Sequence, residues 1–129
     1  MLKYHILIKS AAFLGAISVM LGAFAAHGLK SRLSDYSMGI FETAVKYQFY
    51  HVFAILGLGL MVKSGIQHPM IAWSFRFFVT GIILFSGSLY ALSLLAGKRW
   101  LGMITPFGGL CLIAGWICLF LAFSGKQNC

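Results

Sequence analysis

Residues 106–124 read PFGGLCLIAGWICLFLAFS, an uncharged run with a proline at its head and, one residue past its end, Gly125. A helix of this length rises about 28 Å at 1.5 Å per residue. That is close to the hydrocarbon thickness of a bilayer, which takes about 20 apolar helical residues to cross. The rest of the chain repeats the pattern. Similar runs cover about 10–29, 41–62 and 70–96, so the sequence predicts four crossings as a single all-α integral membrane domain over residues 1–129. Composition agrees: 60% of the 129 residues are hydrophobic and only 9% charged, whereas about a quarter of residues are charged in soluble domains. A transmembrane barrel would need short alternating strands, and these runs are continuous.

The ends of the runs carry the chemistry of helix termini. Gly28, Gly65, Gly97 and Gly125 follow them, where a left-handed cap favours glycine. Pro69 and Pro106 open the third and fourth, where a missing N–H costs nothing, and Thr105 is placed to cap the fourth. Lys3 and Lys9 before an apolar stretch, with Ala23-Phe24-Ala25 after it, have the form of a cleavable signal. Three more crossings follow, however, and the first run is long enough to span, so a retained helix is expected.

The net charge of +8 does not indicate nucleic acid. The basic residues cluster near run ends, where long side chains reach lipid phosphates, and Trp100 beside Lys98 and Arg99 fits an interfacial aromatic belt. With four spans, one face carries both termini and the second connector (the terminal face, with Lys3, Lys9, Lys63, Arg76 and Lys126). The other (the loop face) has Lys30, Arg32, Lys46, Lys98 and Arg99. The two counts tie, so basic residues set no orientation.

Two small-residue seams are expected to pack helices. In run one, Ala11, Gly15, Ser18, Gly22 and Ala25 recur at steps of four and three; in run four, Gly108, Cys111, Gly115, Cys118 and Ala122 do the same. Lipid provides no hydrophobic drive for helix association, and close backbone approach supplies dispersion instead. Helices one and four are therefore the expected tight neighbours. Cys111 and Cys118 lie about 10 Å apart along one helix, too far for a disulfide, Cys129 is terminal, and no ligand spacing suggests a metal site.

The candidate functional residues are polar. Tyr47, Gln48 and His51 project within about 100° of one another on helix two, with Glu42 and Lys46 together on another side. Ser86, Tyr90 and Ser93 form one stripe on helix three. With His27 near the end of helix one, these are expected toward the loop face. The resulting candidate cluster is His27, Glu42, Tyr47, Gln48, His51, Ser86 and Tyr90. Ionisable groups are expensive near hydrocarbon, which is why such a cluster draws attention. Simpler roles exist for each: His27 as a favourable C-terminal charge, His51 as a satisfied buried partner, Glu42 and Lys46 as a surface pair.

Residues 22–29 (GAFAAHGL), 41–51 (FETAVKYQFYH), 85–90 (FSGSLY) and 105–109 (TPFGG) with Gly115-Trp116 together resemble domain of unknown function 423, a UPF0382-type group of small multi-pass bacterial membrane proteins related to the eukaryotic transmembrane protein 256 group. The resemblance runs over nearly the whole chain. It implies a four-span protein of the plasma (inner) membrane without an established activity, and it supplies no catalytic or ligand residues. Ala25 stands where glycine would be expected about as readily.

The expected function is non-enzymatic, through helix packing or membrane partners, with the lipid bilayer as environment, no cofactor, no metal, and a homo-oligomer or another membrane protein as the open partner classes. A small transporter or channel using the polar cluster is the alternative. Helix one carries no acid to couple protons, leaving Glu42 as the sole substitute. A haem or redox protein is the lesser alternative, with His27 and His51 as axial ligands from adjacent helices at similar depth. Hydrolysis has no supporting serine, histidine and acid spacing.

Overall fold

A computed structural model describes residues 2–95 and 97–125. Ala96 at the end of the predicted third run, Lys126 and Cys129 lie outside the described residues. Four helices long and apolar enough to cross a membrane follow one another: α1 (Tyr4–Leu29), α2 (Asp35–Lys63), α3 (Pro69–Leu94) and α4 (Thr105–Ala122), the last preceded by a 3₁₀ segment, Arg99–Met103. No strand occurs among the described residues. The apolar runs mark the crossings but not the helix ends. α1 begins at Tyr4 and α2 at Asp35, each about two turns before its apolar run, because a helix continues into the interface where polar side chains are wetted.

Local chemistry explains most termini. Ser34 caps α2, its hydroxyl accepting from the Ser37 N–H at 3.2 Å, and Asp35 in the first turn complements the helix dipole. α2 ends in a Schellman motif: the Gly65 N–H donates to the Val62 carbonyl and the Ile66 N–H to that of Met61, with Gly65 at φ +95°. His68 then caps α3 by accepting from the Met70 N–H, and Pro69 opens the helix. Gly97 also takes a positive φ, but Gly28 and Gly125 do not. Gly28 lies inside a π-helical turn, Ala25–Leu29, that prolongs α1 where a left-handed cap was expected. Nor does Thr105 cap α4. It is the first helical residue, and its hydroxyl meets that of Ser88 on α3 at 2.6 Å.

The packing departs from the predicted neighbours. α1 packs along α2 and α4 along α3, with no comparable contact between α1 and α4. The seam of α1 lies on Val52 and Val45 of α2, and that of α4 on Phe78 and Phe85 of α3. A stripe of small residues states how near a neighbour can come, but not which neighbour comes. The main core joins Leu7 and Ala11 of α1, Val52, Ile55 and Leu58 of α2, Ile71, Phe78 and Ile82 of α3, and Leu112 of α4. Large apolar side chains such as Phe13, Phe24, Phe107, Ile113 and Phe120 point outward. In water that surface would be a liability; in lipid it is the face the solvent wets.

A polar hub at mid-membrane depth

The pairings fix depth. Gly15 lies against Val52 and Gly22 against Val45, while Phe78 lies against both His51 and Gly115. In this register the midpoints of α1, α2 and α3, near Ala16, Phe49 and Gly81, fall within about a turn of one another. Gln48 and His51 therefore stand near the middle of the membrane, rather than at the loop face. His27 falls level with about Ile40, roughly 16 Å along the axis from His51. Similar depth for the two histidines is thus not what the fold gives.

Gln48, 3% exposed, joins three helices. Its Nε2 donates to the Leu14 carbonyl of α1 at 3.1 Å, and its Oε1 accepts from the Tyr90 hydroxyl of α3 at 2.7 Å. One turn nearer the loop face, the buried Ser86 hydroxyl donates to the Ala44 carbonyl of α2 at 2.8 Å.

His51 joins α2 to α4. Its Nδ1 lies 2.7 Å from the Tyr47 carbonyl, and its Nε2 lies 3.0 Å from the Trp116 indole nitrogen. A carbonyl can only accept and an indole N–H can only donate, so the partners fit the neutral ring protonated at Nδ1. Both nitrogens are then occupied. An Nε2 that accepts from Trp116 has no lone pair to offer iron, which removes the geometry a His27–His51 haem pair needs. The ring is also enclosed by aromatics, with Phe78 at 5.4 Å, Trp116 at 5.8 Å and Tyr47 stacked at 6.4 Å between centroids.

Two further polar ties went unpredicted. The Ser74 hydroxyl donates to the Gly115 carbonyl at 2.8 Å, and Ser88 meets Thr105. The signal was present: Ser74, Phe78, Gly81, Phe85 and Ser88 recur at steps of four and three and form the face of α3 that meets α4. Among the described residues, no buried side-chain nitrogen or oxygen lacks a partner, and no group of three or more His, Cys, Asp or Glu converges as a metal site.

Tyr47 is exposed but borders the hub through its carbonyl and its ring against His51. The exposed His27, Glu42 and Lys46 lie apart from it. Glu42 and Lys46 border a groove of about 220 Å³ whose other walls are Gly22, Ala25, Ala26 and Val45. Arg76 is exposed too, its guanidinium 5.0 Å above the Trp73 ring, a cation–π contact. The packing glycines divide. A Cβ at Gly108 would collide with the backbone of Leu84 and Phe85, and one at Gly115 with the Phe78 ring; at Gly15 and Gly22 the nearest atoms would be 3.4 and 3.7 Å away. Ser18 is fully buried and bonds back to the Leu14 carbonyl.

A helical bundle whose inner polar groups bond helix to helix is a small multi-pass membrane protein. The chain belongs, specifically, to the family described as Protein of unknown function (DUF423), whose sequence model matches residues 21–109. It is similar to the UPF0382 membrane protein SH2409 of Staphylococcus haemolyticus, with 42% identity over 89% of this chain and 95% of that protein. The UPF0382 membrane protein SERP0230 of Staphylococcus epidermidis is 44% identical over the same shares. The UPF0382 inner membrane protein YgdD of Escherichia coli K12 is 42% identical over 82% of this chain and 79% of its own length. No solved structure matches. The names and the four apolar helices place the chain in the cell membrane, the inner membrane in the case of YgdD.

Proposed function

We propose that this protein is non-enzymatic and acts through its helix faces, by packing against other membrane proteins or further copies of itself. The observation that carries this reading is the bonding of the hub. Gln48, His51, Ser86, Tyr90 and Trp116 are the groups from which a mid-membrane reaction centre or ion path would be built, and each bonds to another part of the bundle. A transporter needs polar groups that exchange partners with its cargo; here the inner groups already serve one another. The charged side chains Glu42, Lys46 and Arg76 instead face outward, as an interaction surface requires.

Reconstitution into liposomes that trap a pH-sensitive dye tests this. An imposed proton gradient, with or without a lipophilic cation, is expected to decay at the protein-free rate. A protein-dependent flux lost in Glu42→Gln would assign transport instead.

A further inference from the structure

α2 and α3 both begin with a side-chain cap, at opposite faces of the membrane and with different chemistry. At the loop face the Ser34 hydroxyl accepts from the Ser37 N–H, and a hydroxyl keeps its lone pairs at every physiological pH. At the terminal face the cap is an imidazole. His68 stands in extended backbone, and its Nδ1 accepts from the Met70 N–H at 3.1 Å. That bond needs a lone pair on Nδ1, so the ring's single proton sits on Nε2. A ring that takes up a second proton has two N–H groups and no acceptor left.

A second proton would also be badly placed. It sets a positive charge at the positive end of the α3 dipole. The chain has two acids, Asp35 and Glu42, and both lie in the loop-face half of α2. The elements around His68 carry instead Lys3, Tyr4 and His5 at the head of α1, Lys63 at the foot of α2 and Arg76 on α3. No carboxylate is at hand to hold the charged ring. His68 is exposed and precedes the first helical residue, Pro69, so protons reach it from water.

The capped turn is also a wall. His68, Ile71 and Ala72 line a cavity of about 350 Å³ that Leu2 and Val62 close from the other side. Ile71 is buried in the main core, and its N–H donates to the His68 carbonyl at 3.0 Å. We propose that His68 is a pH-sensitive cap that fastens the first turn of α3 at neutral pH and releases it on acidification, loosening the cavity wall against Leu2 and Val62. The sign follows from the bond: the cap is present while the ring is neutral and is lost as the pH falls through the range in which imidazole charges. The device acts at one face alone, because Ser34 does not titrate.

Amide exchange measured by NMR tests this on the full-length protein in bicelles, which open both faces to one buffer. Corrected for the intrinsic exchange rate, protection of the Met70 amide is expected to fall about fivefold from about pH 7.5 to about pH 5.5, the scale of one helix cap. Protection of the Ser37 amide, held by Ser34, is expected to stay constant over the same range. In His68→Asn the side-chain amide oxygen accepts at both pH values, and Met70 is expected to be equally protected at both. His68→Ala is expected to leave Met70 at the low level throughout. A wild type whose Met70 protection does not change with pH would overturn the proposal. An equal fall in His68→Asn would overturn it too, since the effect would then belong to another group such as His5.

Discussion

The α1–α2 and α3–α4 pairs are built from similar sequence materials, and they are held in different ways. On α4, Gly108 and Gly115 touch backbone and a buried ring, and Gly81 of α3 meets Leu112 of α4 as closely. Close approach is obligatory there. On α1, Gly15 and Gly22 leave room for a methyl group, and close approach to α2 is confined to Leu7 and Ile8 against Gly59, with a polar tie from Gln48 to the Leu14 carbonyl nearer the middle of the pair. A small residue can thus be required by a contact or merely tolerated by it, and the spacing in the sequence is the same for both.

The difference is open to substitution. Gly108→Ala should be the most damaging small change, costing about 3 kcal/mol, because backbone cannot move aside as a side chain can. Unfolding monitored by steric trapping in bicelles checks this; a loss below about 1 kcal/mol would mean that the two helices separate easily. Gly115→Ala should cost about 2 kcal/mol in the same assay, since Phe78 is fully buried and already packed on His51 and Trp116. Trp116→Phe keeps most of the ring and deletes the donor to His51. It should cost about 1 kcal/mol, the usual scale of interhelical hydrogen bonds in membranes. Gly15→Ala should change stability by about 0.5 kcal/mol or less, its methyl lying in ordinary contact with Val52, with the helix propensity of alanine as an offset.

Much of the fold was legible because bilayer thickness imposes a length that hydropathy reports directly. Caps with a local cause were legible too, as at Pro69 and Gly65. Thr105 was not, because its hydroxyl takes a partner on another helix. The hub was legible in its stripes: Gln48 and His51 on α2, and Ser86 and Tyr90 on α3, face inward as spacing implies. Its depth was not. Glu42 and His27 lie toward the loop face in sequence, and only the antiparallel register sets Gln48 and His51 near the centre. The same register brings Trp116 to His51, a contact between residues 65 apart in sequence. The π-helical turns at Ala25–Leu29 and Ile82–Ser86 have no evident sequence signal; the second lies where Gly108 meets Leu84 and Phe85.

The inner polar groups of the bundle bond helix to helix. A double-mutant cycle of Gln48→Leu and Tyr90→Phe in bicelles tests it most directly, since the pair is a discrete bond at 2.7 Å and both replacements conserve shape. A coupling of about 0.5–1.5 kcal/mol is predicted, within the range for bonds between membrane helices. Additive losses with no coupling would contradict the account and leave Gln48 and Tyr90 as groups held for another purpose.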